Sequence, residues 1–376
     1  MEHTYVIGKT GMGKSTFLSN FFFDELQNED ARSIVFIDPH GENVRALADA
    51  LPRSAIKRTC FLDAADYHYP IGFDPLRNPI HCLTGLKSVW RENWGPRLEW
   101  LLLNALLLVA ANNGGTFREV TRVFTDVPLR ERLLENISST QTDRLKYADV
   151  LAFWTKEFPA KYEKARDNPD SPILNKIGQL NQRLPHILCQ RTPKLDFGEL
   201  LQKRGILLVN LAAPTLGDEA SGLLGAMITT ALRGALLETP TPCTLIADEF
   251  QTYGTSLYSS MLAEMRKFGL QILLCHQFIS QVDEQLRDAI LGNTAHQVIF
   301  NVGYNDAVVL AKTYNRLTQD FNPAAITELQ PFDAFVNGAK QTLPDFTPPF
   351  GTGRYADVQT YARLHYGQRS ASRLNV

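Results

Sequence analysis

Cysteine is scarce and scattered in this 376-residue sequence. Cys60, Cys82, Cys189, Cys243 and Cys275 stand far apart, with no CxxC pair. That spacing argues against a zinc site and a disulfide framework, and leaves reduced, mostly buried thiols as the expectation. Long hydrophobic runs are also missing. The longest, Trp100 to Ala111, is interrupted by Asn104 and falls short of the about 20 apolar residues that span a bilayer. We read it as a buried helix. No signal-peptide pattern opens the sequence, whose first residues run straight into a strand and a glycine loop. A soluble, cytoplasmic protein is expected. Basic charge is not in excess either: 38 Lys and Arg against 40 Asp and Glu give a net charge of −2. A small domain that binds nucleic acid on its own is usually basic, so any such contact here must be local or built by assembling copies. Internal repeats and low-complexity tracts are absent.

What is present is an ordinary globular composition, 44% hydrophobic and 21% charged, in a chain long enough for two domains or one domain with an insertion. Its most specific stretch comes first. Gly8-Lys9-Thr10-Gly11-Met12-Gly13-Lys14-Ser15 fits G-x-x-x-x-G-K-[ST] at every fixed position. Thr4 to Ile7 reads as a short buried strand before it, and Ser15 onward as a helix after it. Glycines let backbone amides turn inward to cradle phosphates, and the helix N-terminus adds partial positive charge. We therefore expect Gly8 to Thr16 to hold a nucleotide, ATP, with Lys14 on its β- and γ-phosphates and the Ser15 hydroxyl on Mg²⁺.

Phosphoryl transfer needs a second acidic group at the end of a buried strand. Thr244-Leu245-Ile246-Ala247-Asp248-Glu249 supplies it, with Asp248 as the expected Mg²⁺ partner and Glu249 placed to polarise an attacking water. The adjacent acid suggests hydrolysis and disfavours a small-molecule kinase. A third apolar strand, Leu270 to Cys275, ends in His276-Gln277. Its tip is expected between the two earlier strands, where Gln277 faces the γ-phosphate. Cys275 and His276 point to opposite faces of a strand and are not a metal pair. Between these strands, Met261 to Gly269 reads as a helix closed by glycine. Arg266 or Lys267 near its end either faces a neighbouring subunit or is a solvated helix end.

Further apolar strands are expected at Ser33 to Ile37, Arg58 to Leu62, Ile206 to Leu211 and His296 to Val302. Alternating with helices, they imply an α/β fold with a mostly parallel sheet covered on both faces. Ligands bind beyond the carboxyl ends of such strands, where the motifs sit. From Asn78 to Glu199 the periodicity turns helical: Leu98 to Val109, Thr116 to Phe124, Leu129 to Ile137, Asp143 to Phe158 and Ile173 to Leu184. The expected division is an ATPase domain in two parts, 1–77 and 200–344, an all-helical insertion at 78–199, and an extended tail rich in Pro, Gly and Arg at 345–376.

The order GKTGMGKST, FIDPHGE, YPIGFDPL, a helical insertion, GILLVNL, TLIADEFQ, LAEMRKFGLQILLCHQ and GNTAHQVIFNVGYNDA resembles the HerA–FtsK superfamily of hexameric motor ATPases. Within it, the sequence is most like the cytosolic part of type IV secretion coupling proteins and their plasmid- and virus-borne relatives. The likeness runs from about residue 3 to 345. It implies a RecA-like domain, a homo-hexameric ring around DNA, and an arginine from the neighbouring subunit completing each site. Arg266 occupies the matching place and Gln277 matches the polar sensor. Asp38 and Glu42 are expected on the strand beside the nucleotide, where capping or hydrogen bonding inside the sheet competes with any catalytic role. Coupling proteins usually carry N-terminal membrane helices and HerA an N-terminal β-barrel. Neither precedes Met1 here, so the expectation is a soluble motor recruited by a partner protein. One Lys or Arg per subunit, repeated around a pore, would hold DNA without a basic monomer; Arg183 and Arg191 are candidates that could equally cap helices. The alternatives from other classes are an ATP-driven assembly switch and an ATPase that remodels protein.

Overall fold

The apolar stretches read as strands do form them, and their order in space positions the site. The computed structural model describes residues 2–28, 32–90, 94–163, 165, 168–314 and 321–369. Seven strands run parallel: β1 (His3–Ile7), β2 (Ser33–Asp38), β3 (Thr59–Asp63), β4 (Ile206–Asn210), β5 (Cys243–Asp248), β6 (Leu270–His276) and β7 (Thr294–Ile299). Most are buried along their whole length, which is why they read as continuous apolar runs and not as alternating ones. Two antiparallel strands follow, β8 (Asp333–Val336) and β9 (Ala339–Thr342), giving the order β3-β4-β2-β5-β6-β1-β7-β8-β9. The sheet is mixed and mostly parallel, in an α/β fold.

β6 lies between β5 and β1, as expected for the strand ending in His276-Gln277. Asp248 pairs in register with Cys275, and Ile7 with His276. The three strand tips therefore open on one edge. Helix α1 (Lys14–Gln27) leaves the glycine loop behind β1, and α2 (Glu42–Ala50) follows β2. Asp38 ends β2, but Glu42 is the first residue of α2 and not part of the strand, because Gly41 at φ +83 turns the chain between them.

Between Asp63 and Ile206 the described residues form helices and no strand. The run Trp100 to Ala111 is a buried helix, Pro96–Ala110. The segment expected as one helix from Asp143 to Phe158 is broken. Helices Gln141–Lys146 and Ala148–Ala152 meet at Tyr147, and a wide turn at Phe153–Glu157 leads into Phe158–Lys161. Pro159 has no amide hydrogen to continue the helical ladder there. Helices at both margins of this block, Pro79–Val89 and Phe197–Gln202, pack on the helix Asp218–Glu238. That 21-residue helix, of mean hydropathy 1.4, is the one described helix long and apolar enough to cross a membrane. It is mostly buried inside the protein, as a core helix is.

The tail is not extended throughout. Tyr355–His365 is a helix that packs on α2 and β3, with Val358 and Ala362 buried and Arg363 paired to Asp66 at 2.7 Å. One helical turn separates those two small apolar residues, enough to dock one face.

Candidate nucleotide-binding site

The glycine loop at residues 8–15 owes its shape to three close constraints. Gly11 and Gly13 have φ of +80° and +110°, a region that side chains disfavour. A Cβ on Gly8 would stand 2.5 Å from the Cβ of Phe300. The amide of Gly8 donates to the carbonyl of His276 (3.3 Å) and that of Lys9 to Asn301 (2.8 Å), tying the loop to the ends of β6 and β7. The Lys14 ammonium folds along the loop, donating to the carbonyls of Gly8 (2.6 Å) and Lys9 (3.1 Å).

A cavity of about 350 Å³ opens beside this loop. Thr10, Gly11, Gly13, Lys14, Ser15 and Thr16 line it from one side. Asp248, Glu249 and Gln277 come from the ends of β5 and β6, Asp38 from the end of β2, His40, Glu42 and Asn43 from the turn after it and the start of α2, and Phe332 from before β8. The expected residues Lys14, Ser15, Asp248, Glu249 and Gln277 thus meet in one place. Gln277 bridges them: its amide donates to Glu249 Oε1 (2.7 Å), and its Oε1 accepts from the Thr10 hydroxyl (3.1 Å). Glu249 is buried at φ +44. A non-glycine residue held there carries local strain, a feature that gathers at functional sites.

Asp248 is buried between partners. Its Oδ1 accepts from the Glu249 amide (3.1 Å) and its Oδ2 from Asn43 Nδ2 (2.8 Å). Burial, then the carboxylates of Asp38 and Glu249, push its pKa up to about 7. The pocket is therefore short of positive charge. Hard oxygen donors with excess negative charge suit Mg²⁺, which takes one or two carboxylates together with substrate phosphates and water. Among the described residues no group of three or more His, Cys, Asp or Glu side chains forms a metal cage.

Asp38 does structural work. Its two oxygens accept from the amides of His40 (2.9 Å), Asn43 (2.8 Å) and Val44 (3.3 Å), closing the start of α2. His276 is fully buried against Tyr5, 2.6 Å between Nε2 and the hydroxyl. Burial, aided by Lys14, lowers its pKa to about 3, so it is neutral and no general acid. Cys275 touches Asp248, and burial holds its thiol protonated.

Four contributors escaped sequence reading: Asn43 on Asp248, Gln251 on Glu249 Oε2 (2.7 Å), Cys275, and Phe332. Asn43 lies in the segment that follows FIDPHGE, which was the signal available for it. Arg266 is not in the cavity. It is exposed on the turn Met265–Phe268 before β6, at the opposite edge of the sheet, where its charge acts on buried His3 at the start of β1. Arg183 donates to the carbonyl of Leu216 (2.8 Å), a capping contact within the chain.

Residues 1–71 match the family described as "Helicase HerA, central domain". No curated protein sequence matches. Among solved structures, the plasmid coupling protein TrwB in complex with a non-hydrolysable ATP analogue superposes with a TM-score of 0.65 at 17% identity, covering 94% of this chain and 87% of that one. TrwB in complex with ADP and Mg²⁺ gives 0.59 at 18% identity, covering 93% and 88%. VirB4 of Thermoanaerobacter pseudethanolicus gives 0.61 at 12% identity, covering 93% and 90%. The chain has the fold of these proteins over nearly its full length. Both kinds of match agree with the HerA–FtsK resemblance carried by the motifs.

Proposed function

We propose that this chain is the subunit of an ATP-hydrolysing ring motor, a homo-hexamer that translocates DNA in transfer, packaging or mobile-element traffic. The observation that carries the hydrolytic reading is the Thr10–Gln277–Glu249 chain, which links the phosphate loop to a carboxylate at the tip of β5. The DNA and ring parts rest on the motif order, on the match of residues 1–71 and on the fold shared with TrwB, a conjugative coupling protein.

In this reading the amides and Lys14 of the loop at residues 8–16 bind the phosphates. Ser15 and Asp248 would hold Mg²⁺, which neutralises phosphate charge when bound. Glu249 takes the proton from water as it attacks the γ-phosphate. The side-chain amides of Gln277 and Gln251 fix that carboxylate while leaving lone pairs on each oxygen for water. Gln277 exchanges partners when a γ-phosphate arrives beside Thr10, and so reports nucleotide state to the loop beginning at Phe278. Arg266 acts on a neighbour's nucleotide. The protein works in the cytoplasm, recruited by a partner.

The test is ATP hydrolysis measured against protein concentration, with and without single- and double-stranded DNA. A rate per subunit that rises cooperatively and again with DNA is expected, and the preferred strand type names the track. Concentration dependence without a DNA response would turn the reading toward protein remodelling or an assembly switch. A flat, DNA-blind rate would overturn it.

A further inference from the structure

Phosphate chemistry explains only one end of the nucleotide cavity. Asp248, Glu249 and Gln277 stand on the β5 and β6 side of the phosphate loop, where the γ-phosphate belongs. The other side of β1 carries β7 and the β8–β9 hairpin. The residue just before β8, Phe332, is the one hydrophobic side chain lining a cavity whose other lining residues are polar, charged or glycine. It is half-buried and stands apart from the hydrophobic core.

Its placement is specific and costly. Phe332 has φ +69, where a bulky side chain is an outlier that persists only if its surroundings impose it. The phosphate loop does so: the Phe332 amide donates to the Met12 carbonyl (2.9 Å), while its own carbonyl accepts from Leu343 (2.8 Å). The ring stands over the last glycine of the loop, its Cδ1 3.1 Å from where a Cβ on Gly13 would be. A ring serving the core would be buried at ordinary backbone angles. This one is strained, tied to the phosphate loop and turned toward the ligand space.

The geometry points to Phe332 as the platform on which the base of the bound nucleotide stacks. The inference rests on the nucleotide reading above. With the γ-phosphate beside Glu249 and Gln277, the nucleoside leads away from β5 and β6 toward the hairpin. Every base offers a π-face to an aromatic ring, so this contact adds affinity without reading base identity. It assigns a role to the antiparallel hairpin: β8 and β9 hold this ring at the loop.

The test compares Mg²⁺-dependent binding of ATP and of inorganic tripolyphosphate to the full chain, as wild type, Phe332→Ala, Phe332→Leu and Phe332→Tyr. Tripolyphosphate shares the phosphates and lacks the base, so the ratio of the two affinities is an internal control for folding. The expected result is an ATP affinity lowered about tenfold in Phe332→Ala and Phe332→Leu, an unchanged tripolyphosphate affinity, and an ATP affinity restored in Phe332→Tyr. An unchanged ratio in Phe332→Ala and Phe332→Leu would assign the ring to packing against Gly13 and overturn the inference. Wild-type protein that binds neither ligand would instead overturn the nucleotide reading itself, and this inference with it.

Discussion

At the scale of single residues, the site sets Glu249 and Asp248 apart by environment. Glu249 is held by two neutral amides from Gln277 and Gln251, an arrangement that fixes the carboxylate without neutralising it, as the proposed role of base requires. Glu249→Gln keeps the shape and removes the proton acceptor. It is expected to lower turnover by about 10²–10⁴-fold while ATP still binds, as read by steady-state hydrolysis beside equilibrium binding. Unchanged turnover would remove Glu249 as the base. Asp248 lies among like charges, with a pKa of about 7 against an ordinary 3.8. The folded state therefore holds its proton more tightly than the unfolded chain. The stability this contributes is full below 3.8 and is lost as pH rises through about 7. Asp248→Asn cannot ionise, so in the ligand-free protein its melting temperature relative to wild type is expected to be higher at pH 8 than at pH 5. Parallel melting curves of the two proteins across that range would contradict the burial of this carboxylate.

At the scale of elements, one residue closes a helix that borders the site. Asp38 accepts three amides at the start of α2, and α2 supplies Asn43 to Asp248. Asp38→Ala is expected to cost about 1–2 kcal/mol, seen in denaturant unfolding, and to weaken metal-dependent nucleotide binding through the loosened Asn43. Full stability in that variant would mean that the cap is dispensable. The parallel strands were legible because burial on both faces leaves an unbroken apolar run such as ILLVN or TLIAD. The hairpin was not, because β9 is exposed at all four positions and β8 is only four residues long. Its turn did carry a signal, Asn337-Gly338, both at positive φ, the dipeptide that favours tight hairpins. The terminal helix hid behind the Pro- and Gly-rich chain before it, with only two buried residues to mark a face. In the site, the loop and the Asp248-Glu249 pair were legible because they are local in sequence. Asn43 reaches Asp248 across 205 positions, a contact that no local pattern encodes.

At the scale of the whole molecule, the decisive fact is where Arg266 stands. The phosphate loop follows the carboxyl end of β1, while Arg266 precedes the amino end of β6, which runs parallel and in register beside it. Seven residues of strand separate the two edges, on the order of 20 Å, so Arg266 cannot serve its own chain's site. If it acts in catalysis, it acts across an interface, and the net charge of −2 then fits a protein whose binding surfaces exist only in the assembly. Arg266→Ala alone is expected to lower hydrolysis by about 10³-fold, and Lys14→Ala alone to abolish it. Mixed and assembled together, the two inactive variants should regain activity. Wherever an Arg266→Ala subunit offers its intact loop to the Arg266 of a Lys14→Ala neighbour, a complete site exists, at about one quarter of interfaces in a random equal mixture around a ring. Rescue toward that fraction requires both that subunits assemble site to site and that the arginine works in trans. A mixture as inactive as its parts would leave Arg266 as a solvated turn residue, and an active Arg266→Ala protein would assign the neighbour's contribution to another side chain.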